Sequence, residues 1–163
     1  MSASKSDKCR FWIAIFLDDI QPNTIFHPGL LHLTLIPWFV SDQSDLAVID
    51  CFKSSFSGFS KFELCLSKRT TFGPKDNIAV SLVQPSEELT KLHQLSLDCF
   101  DSVGGRWAVK NPYVDAEFLP HIRRRPGTRL AEGQVISVTA IDLVKARREE
   151  DHLRELAAKV ELV

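Results

Sequence analysis

Leu31-His32-Leu33-Thr34-Leu35-Ile36-Pro37 is the stretch on which the reading of this chain turns. Strand side chains alternate faces, so His32 and Thr34 share one face while Leu31, Leu33 and Leu35 share the other. The aliphatic face needs a core to bury it. The polar face sets an imidazole beside a hydroxyl, a pair able to bind an anion or exchange a proton. A second stretch, Pro120-His121-Ile122-Arg123-Arg124-Arg125, repeats the pattern, with His121, Arg123 and Arg125 on one face and Arg124 on the other.

Outward from these two strands, the chain reads as alternating β and α units. Arg10 to Leu17 is an apolar run rich in aromatic and β-branched residues, the mark of a strand buried on both faces. Asp18 to Gly29 is a loop, and Pro37 limits the first motif strand. A helix capped by Ser41 or Asp42 presents Leu46, Ile49, Cys51, Phe52 and Phe56 and ends at Ser57-Gly58. Strands over Phe59–Ser67 and Ile78–Val83 form a hairpin around a turn at 70–77. Ser86 caps a second helix, with a buried stripe of Leu89, Leu92, Leu95/Ser96, Cys99 and Val103, that ends at Gly104-Gly105. Residues 106–117 are irregular, Phe118–Arg124 is the second motif strand, and Gln134–Val144 reads as one long alternating strand. Lys145–Asp151 reads as a charged turn or a single helical turn, and Leu153–Val163 as a short helix or a final strand, with Ala157–Val163 the more strand-like part. The expected architecture is α+β: a single bilobal, pseudo-duplicated domain over 10–163, with two antiparallel sheets around a central groove and helices outside, preceded by a flexible 1–9.

Composition narrows the function. With 163 residues, 44% hydrophobic and 25% charged, the chain fills one ordinary core and is not disordered by composition. A net charge of −1 gives no global polyanion-binding character, so any nucleic-acid contact must be local. The basic run Arg123-Arg124-Arg125 with Arg129 is the concentrated positive charge, with Lys68-Arg69 as a possible addition. Cys9, Cys51, Cys65 and Cys99 have no CxxC spacing, so reduced thiols are expected and neither a disulfide framework nor a zinc site. The apolar run from Phe11 to Leu17 is too short to span a bilayer and lacks a small-residue cleavage site. The expectation is a soluble, monomeric, cytoplasmic protein without membrane contact.

The two histidine strands, His32-Leu33-Thr34-Leu35 in full and His121 in part, resemble the 2H phosphoesterase superfamily, which includes 2′-5′ RNA ligase and 2′,3′-cyclic phosphodiesterase proteins. The resemblance covers roughly residues 10 to 163. It implies a metal-independent, cofactor-free opening of 2′,3′-cyclic phosphates on RNA ends or small nucleotides, with reversible 2′-5′ ligation as a side reaction. His32 and His121 would be the acid/base pair, since imidazole titrates near neutral pH. Thr34 would bind the phosphate. The usual 2′-phosphate product of such enzymes would make His121 the activator of water.

Arg123 stands where the family has Thr or Ser. Its guanidinium can replace the hydroxyl as a phosphate binder, or its bulk and charge can weaken the site. The incomplete motif therefore supports an alternative, a non-catalytic module of the same fold that holds a nucleotide or RNA end. A third reading is a basic-patch RNA adaptor with incidental histidines. Trp38, Phe39 and Tyr113 are candidates for stacking on a base, and Arg125 for steering a phosphate. Trp107 is a weaker stacking candidate, and the plainer reading of Trp38 and Phe39 is core. His27 reads as a loop residue, His93 as surface or boundary, and His152 as part of a charged turn.

Overall fold

The computed structural model describes residues 8–146 and 153–163. The expected charged turn at 145–151 lies largely outside them, as do His152 and residues 1–7.

The strands are β1 (Arg10–Phe16), β2 (Ile25–Phe26), β3 (His32–Val40), β4 (Phe62–Phe72), β5 (Ile78–Val83), β6 (Arg106–Trp107), β7 (His121–Arg123), β8 (Val135–Val138), β9 (Ala140–Ala146) and β10 (Arg154–Glu161). The helices are α1 (Asp45–Phe56) and α2 (Glu87–Ser102). One hydrogen-bonded path runs β2-β10-β9-β1-β3-β7-β5-β4-β8, with β6 paired to β3. The two sheets expected from the sequence are thus two lobes of one curled antiparallel sheet, joined where Leu33 of β3 faces Ile122 of β7. The curl follows from connectivity. β8 ends one edge of the path and β9 sits near the other, yet only Thr139 separates them.

That switch of partner also breaks the long strand expected over Gln134–Val144: Val135–Val138 pair with β4 and Ala140–Ala146 with β1 and β10. The side-chain alternation runs straight through and carries no trace of the change. Pro37 does not end the first motif strand, which continues to Val40. Register against β1 shifts between Phe11/Phe39 and Ile13/Ile36. Pro37 therefore sits in a bulge, where a ladder donor is dispensable. The β4 strand runs five residues beyond Ser67, into what the turn-forming residues suggested was loop.

The main core lies between the sheet and the two helices. Phe11, Ile13, Ile15, Leu33, Leu35, Phe39, Phe52 and Phe56 are all essentially inaccessible. α1 is capped by Ser44, not Ser41 or Asp42: Ser44 Oγ accepts from the Ala47 amide. Ser41 is buried, its hydroxyl donating to the Val103 carbonyl. Val48 supplies the face of α1 together with Phe52 and Phe56, and Leu46 points outward. α2 begins at its expected cap, with Ser86 Oγ accepting from Leu89 N. A second, smaller core forms on the concave side of the first lobe, where Trp12, Ala14, Ile20, Val144 and Leu156 pack beneath the loop that follows β1. The two cores account for the burial of β1 on both faces. Among the described residues, no helix is long and apolar enough to cross a membrane.

His93 is a correction to the surface reading. It is 5% exposed, its Nδ1 is 2.9 Å from the Leu35 carbonyl, and its Nε2 accepts from the Asp115 amide at 3.0 Å. Its ring stacks on Phe118 at 3.9 Å. The imidazole staples α2 to β3 and to the segment that leads into β7. Burial, the largest influence, depresses its pKa below the usual 6.5. The neutral form is therefore bound preferentially by the fold, and its stabilisation is present above pH about 6.5 and lost as pH falls through the folded value. Protection of the Asp115 amide against hydrogen exchange is expected to drop at mildly acidic pH and to become pH-independent in His93→Phe. Unchanged acid sensitivity in that variant would remove His93 as the cause.

Candidate active site

The Leu33–Ile122 pair is the centre of the site. Antiparallel register around it sets His32 across from Arg123 and Thr34 across from His121, all four on the concave face. Directly opposed residues have Cβ atoms roughly 5 Å apart, so the two histidine strands that the sequence separates are brought together as adjacent strands.

Both imidazoles are held alike. His32 Nδ1 lies 2.8 Å from the carbonyl of Leu30, and His121 Nδ1 lies 2.8 Å from the carbonyl of Leu119. A carbonyl only accepts, so each Nδ1 donates and each neutral ring carries its free lone pair on Nε2. Aromatic edges fix the ring planes. Trp12 and Phe16 lie 4.4 and 5.4 Å from His32, centre to centre, and Phe72 lies 4.9 Å from His121. The surroundings then separate the two. Burial pushes the His32 pKa down from 6.5 to about 4, outweighing the raising effect of the Leu30 carbonyl, and Arg125 and His121 add to the depression. His32 is neutral at physiological pH in the free protein.

Thr34 Oγ1 accepts a hydrogen bond from Trp12 Nε1 at 3.2 Å. Indole N–H is a donor only. The threonine hydrogen is thereby left to point at an anion in the groove. Trp12 and Phe16 were not singled out in the sequence. Their alternation with Ala14 places them on the concave face of β1, a pattern that was present but hidden in an apolar run.

The remaining candidates divide. Arg123 shares the histidine face but its side chain is exposed. Arg125 lines the cavity beside His32. Arg124 faces away as alternation required, donating to Ser81 Oγ and to the Leu130 carbonyl, which also accepts from Arg69. Those two guanidiniums anchor the segment after β7 and are not part of a continuous basic patch. Phe39 is fully buried on the opposite face and does not reach the groove. Trp107 stacks on Phe100 at 4.0 Å, against the core. Trp38 is carried to the concave face by the bulge, where the guanidiniums of Arg10 and Arg154 lie over its ring at 5.0 and 4.8 Å. Tyr113 is exposed and lines a second cavity. Arg154 had no sequence motif to mark it.

A curled antiparallel half-barrel with two matched imidazoles on its concave face defines a phosphoesterase-like architecture. The model of the 2′-5′ RNA ligase superfamily matches residues 21–123, and the chain belongs to that superfamily, within the 2H phosphoesterases. The fold is similar to that of TT0787 of Thermus thermophilus, with a TM-score of 0.65 at 19% identity over 94% of this chain and 97% of that one. It is similar also to E. coli LigT complexed with 3′-AMP, with a TM-score of 0.61 at 16% identity over 96% and 99%. A structure described as a phosphoesterase gives 0.62 at 14% identity over 96% and 99%. No curated protein matches by sequence.

Proposed function

We propose that the protein opens 2′,3′-cyclic phosphates on nucleotides or RNA ends without a metal ion, with His32 and His121 exchanging the protons and Thr34 holding the phosphate. The observation that carries this reading is the matched anchoring of the two imidazoles, each with Nδ1 on the carbonyl two residues upstream and Nε2 available to the groove. Opening a cyclic diester needs a proton taken from water and one given to the departing ribose oxygen. Two imidazoles flanking one phosphate do both. E. coli LigT, which shares this fold, has been crystallised with 3′-AMP, with ATP and with NADP+, which supports a nucleotide as the ligand.

Burial favours one division of the roles. At pH 7 a group with pKa about 4 is protonated roughly one time in a thousand, so using His32 as the acid would cost roughly 4 kcal/mol. On this reading His32 serves as the base and His121 as the acid, the reverse of the order that the family resemblance implies. The expected kcat/KM profile keeps its acidic limb low, near pH 4, because that limb reports the base of the free enzyme. Turnover is expected to persist in EDTA. An acidic limb well above pH 4 would remove His32 as the base, and turnover abolished by EDTA would end the metal-independent mechanism. Arg123, exposed at the rim, contributes charge to phosphate capture, and Arg123→Thr is expected to raise KM with little change in kcat. A strong rise in turnover instead would show that the arginine obstructs the site.

A further inference from the structure

The groove has two unlike ends. Thr34 and Pro37 form a sill between two cavities. The one at the His32 end, about 220 Å³, is walled by Trp12, Phe16, Phe26 and Trp38 and carries two cations, Arg125 and Arg154. The other, about 350 Å³, is walled by Phe72, Pro112, Tyr113, Phe118 and Leu119, and among the described residues its one charged group is Glu117. Whole-ligand pockets run from about 300 to 1,000 Å³, so two cavities at or below the small end of that range each suit a part of a nucleotide.

We propose that the groove takes a nucleotide bearing a second phosphate besides the one that reacts, with the Arg125–Arg154 cavity as the subsite for that phosphate and the Tyr113 cavity as the seat of the uncharged base. The proposal rests on the two-histidine reading of the same groove for the position of the reacting phosphate. In a ribose, C1′ and C4′ diverge to either side of the 2′,3′ edge. A cyclic phosphate seated at Thr34 therefore sends the base toward one cavity and the 5′ substituent toward the other. Charge chooses between them. The Glu117 carboxylate repels a phosphate and accepts from the N–H groups of a base, while two guanidiniums attract the phosphate and can engage it in paired hydrogen bonds. Arg154 is held for the task, its guanidinium over Trp38 at 4.8 Å, so less side-chain freedom is lost when an anion arrives. A 5′-phosphomonoester of a small nucleotide and the next phosphodiester of an RNA chain offer the same chemistry to this subsite.

The test compares three probes: a nucleoside 2′,3′-cyclic phosphate, the same compound with a 5′-phosphate, and a dinucleotide ending in a cyclic phosphate. Affinity is read by calorimetry and kcat/KM by turnover, in wild type, Arg154→Gln and Arg154→Lys. The added phosphate is expected to improve both quantities roughly tenfold to a hundredfold, as charge-assisted hydrogen bonds do. That gain should shrink with salt, vanish in Arg154→Gln and return in part in Arg154→Lys. A gain with both phosphorylated probes upholds the subsite for phosphate in general. A gain only with the dinucleotide upholds it for an RNA chain. Equal affinity with and without the second phosphate, or a gain that survives Arg154→Gln, overturns the proposal. Binding that prefers the second phosphate without any turnover would keep the subsite and retire the two-histidine mechanism. Turnover without the preference would do the opposite.

Discussion

Replacing His121 or His32 with alanine is expected to lower turnover of a nucleoside 2′,3′-cyclic phosphate about a thousandfold, within the usual range of roughly 10²–10⁴ for a positioned acid or base. The reason lies in the geometry. Each ring is locked by a backbone carbonyl at 2.8 Å and by aromatic edges, so its Nε2 is delivered without reorganisation. Alanine removes the proton carrier and leaves Thr34 and its Trp12 hydrogen bond in place. Substrate affinity should consequently change far less than kcat. The double variant should be little worse than either single one, because groups that act as a unit lose their effect together. Single variants within about tenfold of wild type, in a protein that folds normally, would remove the two histidines as the acid/base pair, whereas binding without turnover, unaffected by His121→Ala, would point to the binding-module reading of the same fold.

Lys159→Met is expected to destabilise the fold by roughly 3–5 kcal/mol, because it strands a charge. Lys159 and Asp142 are 2.9 Å apart, with side chains 5% and 2% exposed, and Asp19 approaches the same ammonium at 3.4 Å from the surface. Without the lysine, the Asp142 carboxylate loses its cation in a site that excludes water. Replacing both, as Asp142→Leu with Lys159→Met, should recover most of the loss or exceed wild type. Urea unfolding of wild type, Asp142→Leu, Lys159→Met and the double variant decides it, and additive losses in the double variant would sink the idea. A pH signature accompanies the pair. Desolvation outweighs the lysine and pushes the Asp142 pKa up from 3.8 to about 6. The folded chain thus takes up this proton before the unfolded chain does. The resulting stabilisation is complete below pH about 4 and lost as pH rises through about 6. The slope of stability against pH in that window should flatten in Asp142→Asn.

How much of this was legible beforehand depended on the range of the interaction involved. The two histidine strands, the α2 cap at Ser86 and the β4–β5 hairpin are local patterns, and periodicity exposed them. The face shared by His32 and Thr34 followed from alternation alone. The continuous sheet did not, because the adjacency of β3 and β7 is a pairing between residues far apart in the chain. Thr139 shows the same limit: a strand that changes partners keeps its alternation. His93 was misplaced because its two backbone partners, Leu35 and Asp115, lie on other elements. Arg154 and Trp12 joined the site only through packing. Charge in the run from Arg123 to Arg125 was visible, but its division between the groove and the Leu130 carbonyl was not.

The identical anchoring of the two imidazoles has a corollary. Hydrogen bonding to Nδ1 treats both rings equally, so neither motif itself sets the two rings apart. That difference is written in the neighbours: Trp12, Phe16 and Arg125 around one ring, Phe72 beside the other. Under the proposed mechanism, substitutions at those neighbours alone would exchange the roles of the two rings.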